Sequence, residues 1–158
     1  MHKSPYTLIL PDKTDIITEA NVFKGDFMSN AEKYVLLFLI GGIGYGVIEI
    51  AFRGFTHWSM VLTGGAAFLS LYLINDAFAD TSIFIKAFLG MAIITALELT
   101  VGLIVNRVFA LEVWDYSNLP ANFMGQISLQ FSVCWYGLSV VAFLIFENFH
   151  IITDLQKS

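Results

Sequence analysis

The 158-residue chain is 57% hydrophobic and 13% charged, with a net charge of −5 at pH 7. Soluble domains average about 45–50% apolar and about 25% charged residues, so this composition excludes an ordinary soluble domain. The negative charge argues against nucleic acid as a partner, because no basic stripe is present to neutralise phosphates. Nine charged side chains lie in the first 33 residues, and the other 125 residues carry only twelve. This segregation is typical of a membrane protein.

The chain begins with a polar segment, residues 1–33, that contains Pro5, Pro11 and Gly25. Four apolar runs follow, at 34–52, about 59–77, 83–105 and 124–146. Each run is close to the ~20 residues that a helix needs to cross a bilayer. The runs are continuous and do not alternate with polar residues, which favours helices over barrel strands.

The links at 53–58 and 78–82 are short, so consecutive spans should be antiparallel neighbours. The sequence therefore predicts an all-α membrane protein, a four-transmembrane-helix antiparallel bundle preceded by a short polar leader. We expect three parts: a polar cytoplasmic N-terminal segment (1–33), the transmembrane domain (34–147) and a cytoplasmic C-terminal tail (148–158).

Basic residues near the span ends predict the orientation, because cytoplasmic loops carry an excess of Lys and Arg. With four spans, both termini and the 78–82 link share one side, near Lys24, Lys33, Lys86 and Lys157. Arg53 and Arg107 lie near the opposite ends. We expect an integral protein of a bacterial plasma membrane with cytoplasmic N- and C-termini. The 53–58 and 106–122 links would then face outward.

The non-terminal polar residues concentrate at this predicted outer side. Glu49 lies inside the first span, and Arg53 follows four residues later on the same helix face. The third span presents Thr95, Glu98, Gly102 and Asn106 at helical spacing. The rest of the candidate site comes from the links and the start of the fourth span: His57, Trp58, Arg107, Trp114, Asp115, Tyr116, Asn122 and Gln126.

Glu49 and Glu98 are the two acids within this part of the predicted spans. An acid near mid-bilayer costs about 2.5–3.5 kcal/mol on insertion scales, so it is a functional-site candidate with an expected partner. We expect Glu49 to pair with Arg53, and Arg107 to pair with Asp115 or Glu98. His57 with Glu49 and Glu98 is a permissible metal-ligand set, but the spacing matches no recognised motif. We therefore expect neither a metal nor another cofactor.

The leading hypothesis is an outward-facing pocket that binds or passes a small polar molecule or ion. Glu98 and Glu49 would carry charge or exchange protons, with Arg53 and Arg107 as counter-ions or anion contacts. The segment 114–116 would act as a lid. A second hypothesis is a non-catalytic membrane scaffold or regulator whose polar cluster is structural. A third is an intramembrane enzyme acting on lipid headgroups, ranked last because no nucleophile–base pair is evident.

Glycines in the first two spans form a separate pattern. Gly42 and Gly46 make a G-x-x-x-G element on the first span, and Gly64 and Gly65 lie on the second. Small residues of this kind let membrane helices approach closely. Packing inside the bundle is favoured over dimerisation.

Residues 41–146 resemble the CmpB-like family of ABC-transporter permeases, which includes small animal proteins with four predicted spans. The resemblance rests on Gly44, Tyr45 and Glu49 in the first half, with Thr56–Met60 and Gly64–Gly65 after them. In the second half it rests on Glu98, Gly102, Trp114, Asp115, Tyr116, Ser117, Pro120, Asn122, Gly125 and Trp135.

This resemblance implies a permease-like, non-enzymatic membrane protein. The chain contains no phosphate-binding loop, so an ATPase would be a separate subunit. Four spans are few for a transport path, which implies a homo-oligomer in the bilayer.

Overall fold

The computed structural model describes residues 29–155, with side chains described for residues 29–148. Within this range lie four long helices, α1 (Asn30–Arg53), α2 (Trp58–Ala77), α3 (Ile83–Gly102) and α4 (Leu129–Leu155). α3 continues into a π-helical turn, Leu103–Val108, and a short hairpin of β1 (Asn122–Phe123) and β2 (Ile127–Ser128) precedes α4. All four helices, α3 with its π-helical turn, are long and apolar enough to cross a membrane. The predicted all-α four-helix membrane protein is confirmed.

The helix ends follow from local sequence. Ser29 and Glu32 form a reciprocal capping box at the start of α1, in which the Ser29 amide donates to Glu32 Oε2 over 2.7 Å. α1 ends at Arg53, and the next residue, Gly54, has a φ of +82° that suits glycine and an amide that donates to the Ile50 carbonyl. His57 caps α2 by accepting the Ser59 amide on Nδ1. These caps satisfy backbone groups that hydrocarbon leaves without a partner.

α2, α3 and α4 enclose the hydrophobic core. Leu71, Ala87, Ile94 and Phe143 are buried at its centre. α1 is the peripheral helix, and its buried residues are Gly41, Gly42, Gly46 and Glu49. Leu37 and Tyr45 of α1 also pack, half-buried, against the core, while most of its other large apolar side chains are exposed.

Glycines bring α1 and α2 into close contact. A Cβ added to Gly41 would lie 2.2 Å from Phe68 Cβ, and one added to Gly42 would lie 2.6 Å from the Val61 carbonyl oxygen. On the facing helix, a Cβ on Gly65 would lie 2.6 Å from the Phe38 carbonyl oxygen. The prediction that these glycines pack inside the bundle is confirmed.

The fourth helix differs from its predicted bounds. It begins at Leu129 rather than at 124, because Asn122 pairs with Ser128 and Phe123 with Ile127 in the β1–β2 hairpin. It also remains helical to Leu155, into the predicted C-terminal tail. The three domain boundaries stay predictions, and residues 1–28 lie outside the described residues.

Gly41→Ala should destabilise the protein, because the new methyl group must displace Phe68 and the Gly64 carbonyl, and such overpacking costs about 1–3 kcal/mol. The matched control is Gly44→Ala on the same helix, where a Cβ would meet no group within 4 Å. Thermal midpoints of the purified proteins in detergent measure the difference. Equal midpoints for the two variants would contradict the glycine-mediated packing of α1 on α2.

Candidate functional site

Glu98 is the buried acid at the centre of the site. Its side chain is 2% exposed, on the face of α3 that packs against α4. Oε1 accepts the Tyr116 hydroxyl over 3.0 Å, and Oε2 accepts Trp135 Nε1 over 2.9 Å. Both carboxylate oxygens thus have donors from other parts of the chain. Trp135 is not among the predicted site residues, and its place in the family pattern was the signal that could have included it.

The face of α3 predicted from its spacing is confirmed. Thr95 Oγ1 lies 3.2 Å from the Ser132 hydroxyl, one turn before Glu98. Gly102 lies one turn after it, where an added Cβ would meet Gln126 Oε1 at 2.5 Å. Asn106 continues the face in the π-helical turn. The whole face contacts α4 or the segment that precedes it.

The segment 109–128 is fastened to the end of α3 through Asn106. The Asn106 amide donates to the Trp114 carbonyl over 3.0 Å and to Gln126 Oε1 over 2.8 Å, while its oxygen accepts the Val113 amide. Trp114 Nε1 donates to the Gln126 carbonyl over 2.9 Å. Trp114 and Gln126 are 5% and 4% exposed. The segment is therefore a fixed layer over the helix end, not an open loop.

The backbone of this segment adopts conformations that most residues avoid. Ala110, Glu112, Ala121 and Met124 have φ between 48° and 55°. Such left-handed conformations cost non-glycine residues roughly 1–2 kcal/mol each, and they persist only where surrounding contacts hold them. The hydrogen bonds of Asn106 and Trp114 provide those contacts.

Tyr116 joins this segment to Glu98. Its ring stacks on Phe131 of α4 with centroids 4.5 Å apart, and its hydroxyl reaches the Glu98 carboxylate. Burial, and then the negative charge of Glu98, raises the pKa of Tyr116 far above its ordinary value. Tyr116 therefore stays a neutral hydrogen-bond donor at any physiological pH.

Glu49 and Arg53 form the ion pair that the i, i+4 spacing predicted. Arg53 Nη2 lies 3.0 Å from Glu49 Oε1, and the Glu49 side chain is 4% exposed. The Thr56 hydroxyl donates to the other Glu49 oxygen, a partner that sequence reasoning missed. The Arg53 guanidinium also lies 4.7 Å from the Phe55 ring centre. This pair closes the link between α1 and α2.

Tyr45 connects the two halves of the site. Its ring packs against Trp135 with centroids 5.7 Å apart. Trp135 in turn donates to Glu98, so Tyr45 links α1 to the surroundings of the buried acid of α3.

The pairing predicted for Arg107 is wrong. Its Nη2 donates to the Met124 carbonyl over 3.1 Å, and its side chain is exposed. Glu98 lies in the core, bound instead by Tyr116 and Trp135. Asp115 is exposed and accepts both the amide and the hydroxyl of Ser117, each over 2.8 Å. These hydrogen bonds lower the pKa of Asp115, with a smaller contribution from Arg107.

Three other predicted site residues lie apart from Glu98. His57 Nδ1 contacts the Ser59 hydroxyl over 2.7 Å, as the cap of α2, and Trp58 is 59% exposed beside it. Asn122 donates to the Ser117 and Leu119 carbonyls within its own turn. The alternative metal set of His57 with both acids is not assembled: among the described residues, no three His, Cys, Asp or Glu side chains could hold a metal ion.

A cavity of about 360 Å³ lies beside Glu98, with walls from all four helices. Its walls are apolar except for Thr63, Tyr45, Trp135 and Glu98. The predicted polar residues of the link and the hairpin do not line it. The cavity next to the buried acid is therefore lined mainly by apolar side chains.

A second polar cluster, which sequence reasoning missed, lies at the other end of the bundle. Lys86 is 1% exposed, and its Nζ donates to Asn75 Oδ1 over 2.9 Å and to Glu147 Oε1 over 2.8 Å. Phe143 lies against the same ammonium group at 5.6 Å. The sequence had counted Lys86 as a charge near the membrane surface, whereas it is buried and paired with Glu147.

Comparison with known proteins identifies the family. A family model described as "Putative ABC-transporter type IV" matches residues 45–157, which is more than half of the chain. The chain belongs to this family. No curated protein and no solved structure matches the chain significantly. The match confirms the family resemblance, and together with four spanning helices it indicates an integral membrane protein of transporter type.

Tyr116→Phe should lower the unfolding free energy by about 1.5–3 kcal/mol, because Glu98 loses a donor and hydrogen bonds to charged groups contribute about this much. The control is Tyr136→Phe, since the Tyr136 hydroxyl shows no hydrogen bond within residues 29–148. Thermal midpoints in detergent provide the measurement. A fall in the control variant as large as that in Tyr116→Phe would contradict a specific role for the Tyr116–Glu98 contact.

Asp115→Asn should lower the thermal stability of the protein at neutral pH and should have a smaller effect on it in acid. The folded pKa of Asp115 lies below its unfolded value, so its stabilising contribution is present above about pH 4 and is lost as the pH falls through the folded pKa. We expect the midpoints of wild type and variant to converge below about pH 4. Asp80→Asn, an exposed acid in the 78–82 link, is the control. A difference that persists undiminished in acid would show that the Asp115 charge is not responsible.

Proposed function

We propose that this chain is the membrane-spanning component of a transporter and binds a small polar molecule or ion through Glu98. The observation that supports the proposal is a carboxylate 2% exposed that lines a cavity within four spanning helices. Ionisable groups at such positions are costly and usually mark ligand or ion paths. The family description supports the transport class.

In this proposal Glu98 carries the charge or exchanges the proton, and the segment 114–116 is the lid over it. Tyr116 supports the lid role, because its hydroxyl links that segment directly to Glu98. Glu49 and Arg53 neutralise each other near the site as an ion pair. Arg107, bound to the Met124 carbonyl, would hold the hairpin that borders the lid.

The partners follow from the transport class. A separate ATPase subunit would drive an ABC-type cycle, since the sequence contains no phosphate-binding loop. Four helices enclose little space, so a homo-oligomer would provide the transport path. The family description supports the ATPase partner without naming it, whereas the homo-oligomer is proposed from the small number of spans alone.

We place the N- and C-termini in the cytoplasm of a bacterial cell, with Glu98 nearer the outer surface. The positive-inside rule supports this orientation through Lys24, Lys33 and Lys157. Lys86 is left out of this count of basic residues on the cytoplasmic side, because it is buried and paired with Glu147.

A membrane scaffold or regulator is the second candidate function. It is favoured by the hydrogen bonds at the end of α3, where Asn106, Trp114 and Gln126 satisfy one another. Catalysis has less support. His57 contacts a hydroxyl only as the cap of α2, and that hydroxyl belongs to Ser59, which is 3% exposed.

Glu98→Gln should abolish ligand binding while preserving the fold, because the amide keeps an acceptor and loses the charge. The assay is the thermal midpoint of purified wild type and variant against ions, polar metabolites and lipids. A ligand at a hundred times its dissociation constant stabilises the native state by about 2.7 kcal/mol. We expect at least one compound to raise the midpoint of wild type and not that of the variant.

Glu147→Gln is the control, because it alters the polar cluster at the opposite end of the bundle. It should respond to the ligand as wild type does. If no compound shifts wild type and Glu98→Gln itself melts far lower than wild type, the scaffold function replaces the transport proposal.

A further inference from the structure

The cavity beside Glu98 opens sideways, toward the lipid. Its rim carries Ile40 and Ile48 of α1 and Val141 and Ile145 of α4, which are between 45% and 52% exposed. Its floor is formed by buried residues of α2 and α3, among them Leu71 and Ile94. The rim residues lie within the spanning helices, where exposed apolar side chains face hydrocarbon. A ligand in the bilayer can therefore reach the cavity between α1 and α4.

The cavity is long along the helix axis. Trp135, Leu138, Val141 and Ile145 recur along one side of α4 and line it in succession. The ten-residue step from 135 to 145 corresponds to roughly 15 Å at 1.5 Å per residue. Gly44 leaves space on the facing side of α1, because a Cβ there would meet nothing within 4 Å. A groove of this shape fits one extended alkyl chain.

The polar end of the groove favours a cation. Among the described residues, the ion pairs are Glu49 with Arg53 and Lys86 with Glu147, so Glu98 has no cationic partner. A carboxylate offers about four acceptor sites, and Tyr116 and Trp135 occupy two of them. The rings of Tyr45 and Trp135 meet beside it at 46°. Both rings line the cavity next to Glu98, and aromatic rings attract ammonium groups through cation–π contacts.

We propose that this groove binds a single-chain cationic amphiphile, with its ammonium head at Glu98 and its alkyl chain along α4. This assignment rests on the proposed function and names its substrate class. A phospholipid fits less well, because no Lys or Arg is found among the cavity-lining residues that the structure describes. The phosphate of a phosphocholine head would lie unpaired beside the Glu98 carboxylate.

The test compares four probes on purified protein in dodecyl maltoside. Dodecyltrimethylammonium carries both chain and cation, tetramethylammonium lacks the chain, dodecyl sulfate reverses the charge, and dodecylphosphocholine adds a phosphate. We expect dodecyltrimethylammonium to raise the thermal midpoint of wild type and to bind at least about tenfold more tightly than the other three.

Two substitutions test whether dodecyltrimethylammonium binds in the groove. Gly44→Leu should occupy the groove, because a Cβ there meets nothing within 4 Å, and should remove the stabilisation, as should Glu98→Gln. Gly137→Leu is the matched control, because a Cβ there also meets nothing within 4 Å and the residue does not line the cavity. If Gly44→Leu fails to fold, Val141→Phe at the rim takes its place.

Three results would overturn the amphiphile assignment. Equal stabilisation of wild type, Gly44→Leu and Glu98→Gln by dodecyltrimethylammonium would indicate a micelle effect and overturn the amphiphile assignment. Stabilisation by tetramethylammonium or another small solute that needs Glu98 but survives Gly44→Leu would also overturn it, while leaving the proposed function intact. No Glu98-dependent shift with any probe, ion or metabolite would overturn both.

Discussion

The Glu98 carboxylate, buried in a protein that spans hydrocarbon, must find its hydrogen-bond donors within the chain. Lipid supplies none, and an unsatisfied polar group there costs several kcal/mol. The donors are Tyr116, from the segment before the hairpin, and Trp135, from α4. One side chain therefore joins α3, α4 and the segment 109–128. The close approach at Gly102, the stacking of Tyr116 on Phe131 and the contact of Tyr45 with Trp135 are all arranged around it.

The same constraint organises both ends of the bundle. Asn106 uses both of its amide atoms to hold the segment that contains Trp114, and this holds the left-handed residues around it in place. At the other end, the Lys86 ammonium group of α3 donates to Asn75 of α2 and Glu147 of α4, and so joins these three helices. Opening the protein near Glu98 would have to break the Tyr116 contact first. A displacement of the segment 109–128 from α3 would therefore remove the Tyr116 donor from Glu98.

The glycines of α1 have two consequences. Gly41 and Gly42 bring α1 against α2, while the lack of a side chain at Gly44 leaves space on the side toward α4. α1 therefore closes one side of the bundle and leaves the other side open as an apolar groove. A mainly polar pocket was expected from the sequence. The structure has instead a buried acid at one end of a cavity lined mainly by apolar side chains.

The sequence by itself determined the four spans, the antiparallel order and the Glu49–Arg53 pair, because each depends on composition or on spacing within one helix. It also predicted the face of α3 that carries Glu98, Gly102 and Asn106, since helical periodicity places them together. Only the tertiary structure decided that Glu98 is bound by Tyr116 and Trp135 rather than by Arg107, and that Lys86 is buried. Those contacts join residues 18, 37 and 61 positions apart. Their geometry depends on how the helices pack and how the hairpin turns, which no local pattern in the chain encodes.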